Sequence, residues 1–204
     1  MIMPLWIAAD PLVLASKSAA RRALIEAAGI PLDVVPADID ERALEARAGP
    51  SDASAAALLL AREKARVGCG RAAGRLVVGA DQTLALAGAR FSKPAGPEAA
   101  REQLRALSGR THELHSAVAV ARDGRILFSH VDGAKLTMRA LSETFLDRYL
   151  AAAGPAVTAS VGGYQLEGLG SHLFESIEGD HFTILGLPLF ALLGFLRREG
   201  CLAD

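Results

Sequence analysis

The chain has 204 residues, a net charge of −1 and an apolar fraction of 51%, enough length and hydrophobicity for one globular domain with a substantial core. That balance excludes a disordered chain and a strongly basic nucleic-acid platform, so any anion site must come from a local cluster of Lys and Arg. Two cysteines, Cys69 and Cys201, lie far apart with no CxxC pair, which points to a reducing compartment and against a disulfide scaffold or zinc site.

The first nine residues are apolar but lack a basic leading segment, and Asp10-Pro11 interrupts them, so they are not read as a signal peptide. Leu12 to Ala15 read as a buried strand, and Arg21 to Ala28 as a helix with Leu24, Ile25 and Ala28 on one face. Leu32 to Val35 give a second strand, ending in an acidic turn, Asp38-Ile39-Asp40-Glu41. Ser51-Asp52 then caps a long helix reaching Gly68. Leu76 to Gly79 read as a central parallel strand, with Asp81-Gln82-Thr83 directly after it. Beyond a Gly88 turn and Lys93-Pro94, Pro97 opens a helix to Leu107, closed by Ser108-Gly109. Ser116 to Arg122 and Arg125 to His130 flank Asp123-Gly124, a strong hairpin signal, and Ala134 to Arg139 form a further strand before a helix capped by Ser142. The tail holds a glycine-dense stretch, Gly162 to Gly170, a strand near His172 to Ile177, and a closing helix from Pro188 to Arg198. The longest apolar run, Ile184 to Leu196, is only 13 residues and contains Pro188, too short to span a bilayer. The order of elements implies an α/β domain, single over residues 1–204, with a mixed central sheet and helices on its faces.

The chemistry gathers at the strand ends, where α/β folds collect ligands. Ser16, Lys17, Ser18, Arg21 and Arg22 follow the first strand and suit an anion at a helix start, such as a phosphate. An ordinary Ser-capped helix with solvated arginines is the alternative. Asp38, Asp40 and Glu41 follow the second strand, Asp81 and Gln82 the third, with Lys93 nearby and Glu63-Lys64 able to reach in from the long helix. Cations beside several carboxylates are what attack on a polyphosphate needs. The cations neutralise phosphate oxygens, and the carboxylates hold Mg²⁺ or Mn²⁺ or orient and deprotonate a water. The plainer alternatives are a solvated pair for Glu63-Lys64, an exposed turn for Lys93-Pro94 and loop solubilisers for Asp38, Asp40 and Glu41; Asp81 differs in sitting at the rim of an apolar run, where a structural role and a chemical one stand level. His112 and His115 are three apart on a strand and face opposite sides, so they form no ligand pair. The glycines around Tyr164 allow close backbone approach to a ligand, with Tyr164 able to pack against a base; a flexible loop is the alternative. Gly186-Leu187-Pro188 reads as a turn into the last helix.

Taken together, Leu14-Ala15-Ser16-x-Ser18-x-x-Arg21-Arg22, Asp40-Glu41, Ala61-Arg62-Glu63-Lys64-Ala65, Gly79-Ala80-Asp81, Lys93-Pro94, Leu107-Ser108-Gly109, Gly163-Tyr164, Glu167-Gly168 and Gly186-Leu187-Pro188 resemble the Maf family over residues 12 to 199. The resemblance implies a cytoplasmic nucleoside triphosphate pyrophosphatase, a hydrolase of acid anhydrides that releases nucleoside monophosphate and pyrophosphate. It further implies a deep-clefted fold shared in outline with inosine-triphosphate pyrophosphatases, a divalent metal cation (Mg²⁺ or Mn²⁺) and a homodimer, with no stable nucleic-acid or membrane partner. On it, Asp81 carries the catalytic carboxylate, Ser16, Ser18, Arg21, Glu41, Lys64 and Lys93 bind substrate, and Asp81 and Glu41 hold the metal.

Three positions divide the family by substrate, and here they are Ala20, Gln82 and Glu167. Gln82 and Glu167 resemble the 7-methyl-GTP branch, while Ala20 replaces the branch's Trp. A Glu carboxylate suits the N1–H and N2–H₂ edge of guanine, and N7-methylation adds a positive charge that it favours. With Ala20 in place of an aromatic, Tyr164 or Phe174 would supply any stacking. The alternatives are a dTTP/UTP pyrophosphatase of the same family, a house-cleaning enzyme for inosine or xanthosine triphosphate, and a non-enzymatic regulator of septum formation and cell division.

Overall fold

The computed structural model describes residues 5–48 and 52–203 and divides the chain into two compact units. The first takes Met1–Gln82, Ser116–Asp132 and Gly186–Asp204; the second takes Thr83–His115 and Gly133–Leu185. In chain order the elements are β1 (Leu12–Leu14), α1 (Ala19–Ala27), β2 (Leu32–Val34), α2 (Glu41–Ala48), α3 (Ala53–Gly68), β3 (Val77–Leu86), β4 (Ala89–Phe91), α4 (Pro97–Leu107), β5 (Thr111–Arg122), β6 (Arg125–Met138), α5 (Glu143–Ala153), β7 (Phe174–Glu178), α6 (His181–Ile184) and α7 (Leu189–Arg198). The strands form a mixed sheet in the order β2-β1-β3-β5-β6-β7, with β4 beside β3. The α/β class expected from the sequence is the class observed.

In the first unit β1 pairs in parallel with β2 and β3, through Leu12↔Leu32 and Val13↔Val77. Its core is built from small side chains: Ala57, Ala61, Ala65 and Cys69 of α3 and its end meet Val13, Ala15, Val77, Ala117, Ala119 and Ala121. Such small residues at the spacing of one helical face bring a helix axis close to the strands beneath it. Both cysteines are free and buried.

The second unit packs larger groups. Leu84, Leu104, Leu107, Leu114, Leu136, Met138, Leu146 and Leu173 surround Tyr149 and Tyr164, and β7 pairs antiparallel with β6 through Lys135↔Glu178. Pro97 stands at the N-terminus of α4, and Gly109 follows its end at φ 67°. Among the described residues no helix is long and apolar enough to cross a membrane.

Several boundaries differ from the sequence reading, each for a local reason. Ser18 caps α1 by accepting from the Arg21 N–H, so the helix begins at Ala19 rather than Arg21. Asp52 is the cap of α3, accepting from the Ala55 N–H at 2.7 Å; Ser51 lies outside the described residues. The acidic turn is shorter than expected, because Asp40 accepts from the Ala43 N–H at 2.9 Å and launches α2. The strand expected at Leu76–Gly79 continues as β3 to Leu86, stabilised by antiparallel pairing of Leu84 with Phe91. The expected strands Arg125–His130 and Ala134–Arg139 are one continuous β6, since Gly133 sits in the ladder without breaking it. The hairpin turn is as expected, with Asp123 and Gly124 at φ 51° and 80°. Pro188 caps α7 rather than opening it, and the short α6 has no counterpart in the sequence reading.

Candidate active site

In the first unit a polar cluster forms where α3 rides on β3. Gly79 makes this possible: a Cβ there would stand 2.2 Å from the Ala61 carbonyl oxygen and 2.4 Å from the Ala65 nitrogen. Gly68 does the same one helical step on, where a Cβ would meet Val77 at 2.7 Å. With the helix this close, Lys64 lies over the strand. Asp81, two residues after Gly79, points to the same face of β3. The Lys64 ammonium donates to Asp81 Oδ1 at 2.5 Å and approaches Glu41 Oε1 of α2 at 2.7 Å. The Lys64 and Asp81 side chains are only 12% and 11% exposed, whereas Glu41 is half exposed. Burial pushes the Asp81 carboxyl above the usual carboxylate range, while the charges of Lys64 and Arg21 pull it back down and Glu41 adds to the rise.

Asp81 therefore sits inside a strand, not beyond the end of one. The extension of β3 accounts for the difference, and Asp81 is a buried residue of that strand. Glu63 and Lys64, adjacent in sequence, part company: Glu63 pairs outward with Arg66 at 2.6 Å. Asp38 and Asp40 are exposed, and Asp40 is committed to its helix cap.

The junction of β1 with α1 is occupied by its own side chains. Ser16 Oγ accepts from the Ser18 N–H at 3.2 Å and from Arg21 Nη1 at 3.3 Å. Arg21 is buried; its Nε donates to the Gly186 carbonyl at 2.8 Å and its Nη1 to the Ala80 carbonyl at 2.8 Å. Burial lowers the Arg21 pKa from its usual value, opposed by the charges of Asp81 and Glu41. Arg22 lies on the surface, paired with Glu26 at 2.8 Å. Ala20 is half-buried on the same helix. Gln82, on the face of β3 opposite Asp81, donates from Nε2 to Ser116 Oγ at 2.9 Å.

Lys93, Glu167, Tyr164 and the two histidines singled out from the sequence belong to the second unit. Lys93 is exposed ahead of the buried Pro94, and Glu167 is exposed in the glycine-dense segment. That segment is not a flexible strap. Gly162 and Gly163 adopt φ of 80° and 76°, the Gly168 and Gly170 N–H groups both donate to the Gln165 carbonyl, and a Cβ on Gly170 would stand 2.3 Å from that oxygen. Tyr164 is only 5% exposed, its hydroxyl 2.7 Å from His112 Nε2 and its ring edge-on to Phe174. A ring held there packs the core, which corrects the expectation that Tyr164 meets a base. His112 is fully buried and His115 only partly so, on opposite faces of β5 as expected.

Among the described residues no group of three or more His, Cys, Asp or Glu side chains is placed to hold a metal ion. Glu41 and Asp81 nevertheless offer hard oxygen donors, and each places one oxygen on the Lys64 ammonium. Two carboxylates suit Mg²⁺ or Mn²⁺ when substrate phosphates complete the coordination shell.

A family model described as Maf-like protein matches residues 11–199. The chain is 56% identical over 201 residues, 98% of its own length and 100% of the relative's, to a protein of Rhodopseudomonas palustris (strain HaA2) named nucleoside triphosphate pyrophosphatase. A protein of Bradyrhizobium diazoefficiens with the same name is 57% identical over 201 residues, again 98% of this chain and 100% of the relative. A protein of Mesorhizobium japonicum named 7-methyl-GTP pyrophosphatase is 51% identical over 195 residues, 95% of this chain and 98% of the relative.

Proposed function

This chain belongs to the Maf-like protein family, and on that premise we propose that it hydrolyses 7-methyl-GTP to the nucleoside monophosphate and pyrophosphate. The reaction class, a nucleoside triphosphate pyrophosphatase acting on acid anhydrides, is the one its relatives are named for. The observation that carries the reading is the buried Lys64 ammonium between Asp81 and Glu41. A buried ion pair contributes little net stability, so its presence in an otherwise alanine-lined surface favours a role in chemistry.

In this reading Asp81 accepts a proton from the attacking water. The new P–O bond forms as the anhydride bond between the α and β phosphates breaks, and the departing pyrophosphate takes the electron pair. The Lys64 charge opposes the rise that burial imposes on the Asp81 carboxyl, and Lys64 and Lys93 offset phosphate charge. Ser16 and Ser18 shape the turn beside them. A divalent cation held by Asp81 and Glu41 would supply further neutralisation of phosphate charge. The protein acts in the cytoplasm as a homodimer and without nucleic acid in this account.

Base choice rests on Gln82 and on Glu167, whose exposed carboxylate is open to a guanine edge carrying the fixed charge of N7-methylation. The dTTP/UTP reading is favoured by a different observation: Ala20 offers no ring, and Tyr164 is buried. Pyrophosphate release from 7-methyl-GTP, GTP, dTTP, UTP, CTP and ITP with Mg²⁺ or Mn²⁺ decides between them. We expect kcat/KM for 7-methyl-GTP to exceed that for dTTP and UTP, with a preference that drops about tenfold in Glu167→Gln, roughly 1.4 kcal/mol for a charge-assisted contact. Good hydrolysis of dTTP and UTP with none of 7-methyl-GTP would reject the proposed substrate, and no pyrophosphate from any nucleotide would reject the enzyme.

A further inference from the structure

The turn at Gly186-Leu187-Pro188 and the buried Arg21 meet in the first unit, and neither is explained by the chemistry above. We propose that Arg21 is a positioning residue: its guanidinium ties the Gly186 turn to the Ala80 carbonyl and so fixes the backbone that presents Asp81. The inference rests on the reading of Asp81 as the catalytic carboxylate.

Two of the three guanidinium nitrogens of Arg21, Nε and Nη1, are committed to the protein. Nε reaches Gly186 at 2.8 Å, and Nη1 reaches Ala80 at 2.8 Å and Ser16 Oγ at 3.3 Å. The residue is 9% exposed. Turning this guanidinium toward a phosphate would leave two buried carbonyls without their partner, a cost that a solvated arginine would not meet. Ala80 adjoins Asp81 in β3, so the hydrogen bond to its carbonyl acts on the peptide that leads into the carboxylate. Gly186 is matched to this role. It holds φ +94°, and a Cβ there would stand 3.4 Å from Arg21 Nε and 3.5 Å from Nη2. A side chain would strain the turn at this φ, while its Cβ would only touch the guanidinium. Gly186 thus gives the turn before Pro188 a specific task, to receive the arginine side chain.

The test separates positioning from phosphate binding by splitting kcat from KM. Arg21→Lys keeps the charge but loses the planar fork that serves several acceptors at once. Turnover of 7-methyl-GTP is followed in parallel with calorimetric binding of pyrophosphate alone, and urea unfolding confirms the fold. Positioning predicts a kcat lower by at least about tenfold with KM and the pyrophosphate Kd within about twofold of wild type. Gly186→Ala, which disturbs the same joint from the other side, should show the same split, and it decides the matter if Arg21→Lys does not fold. The inference is overturned if Arg21→Lys retains kcat while KM and the pyrophosphate Kd rise about tenfold or more, the signature of a lost phosphate ligand. Loss of the reading beneath it is recognisable separately, as normal turnover by Asp81→Asn.

Discussion

Lys64 and Asp81 meet at 2.5 Å among alanines in the first unit, and His112 and Tyr164 meet at 2.7 Å among leucines and aromatics in the second. Burial acts on both pairs and leads to opposite outcomes. In the second unit it pushes His112 down to about 4 and Tyr164 up, so both groups are neutral at ordinary pH and serve each other as hydrogen-bond partners. In the first unit burial raises Asp81, but the Lys64 and Arg21 cations work against it, and Glu41 lies on the open side of the cluster. A neutral pair can be buried at little cost and fixes packing. A charged cluster of this kind is a poor way to gain stability and a good way to hold charge ready for a ligand. Two buried polar pairs of similar length thus carry different meanings, and their surroundings distinguish them.

Acid should separate the two pairs first. The folded pKa of His112 is lowered from 6.5 to about 4, so the unfolded chain binds the extra proton throughout that window. Its contribution to stability is complete above pH 6.5 and is lost as pH falls toward 4, by about 3 kcal/mol. Asp81 has the opposite sign: its folded pKa is raised, so protonation relieves the cost of burying its charge as pH falls. Urea titrations at several pH values should show stability declining below pH 6.5 in wild type, with the decline flattened in His112→Phe. An unchanged slope in that variant would assign the acid sensitivity elsewhere.

A smaller effect tests the close approach that builds the charged cluster. Gly79→Ala places a Cβ 2.2 Å from the Ala61 carbonyl, so α3 must move off β3. Overpacking of this kind costs about 1–3 kcal/mol, and it should lower turnover as well, because Lys64 moves with the helix. Gly74→Ala, where a Cβ meets nothing within 4 Å but φ is +74°, provides the comparison for backbone strain alone. Equal turnover in the two variants would show that the helix approach does not position Lys64.

Much of this was legible in the chain. Apolar periodicity and caps locate β1, α3 and α4, and Asp123-Gly124 marks the hairpin because that turn requires left-handed backbone at both residues. Residue type and order make Asp81, Lys64 and Glu41 candidates, the family resemblance gives them roles, and the fold brings them into one cluster across separations that no local pattern encodes. Other features were hidden for physical reasons. Glu41–Ala48 has too weak an apolar face to announce a helix, and only the Asp40 cap marks its start. Asp81-Gln82-Thr83 resembles a strand end because polar residues commonly stand there, yet Lys64 and Ser116 satisfy two of them inside β3. Tyr164 looked available beside glycines, which in the fold serve to coil the chain tightly around it. The engagement of Arg21 with Gly186 spans 165 residues, and nothing in either segment alone predicts it.

The contrast between the two pairs comes down to one paired measurement, turnover and urea stability of Asp81→Asn and Tyr164→Phe side by side. Asp81→Asn keeps the side chain's size and removes its charge, so pyrophosphate release should fall by about 10²-fold or more while the protein stays folded. Tyr164→Phe leaves His112 Nε2 without its partner, which should cost about 1–3 kcal/mol of stability and leave kcat within about threefold of wild type. Near-normal turnover in folded Asp81→Asn, or a large loss of kcat in folded Tyr164→Phe, would contradict the assignment of chemistry to the charged cluster and packing to the neutral pair.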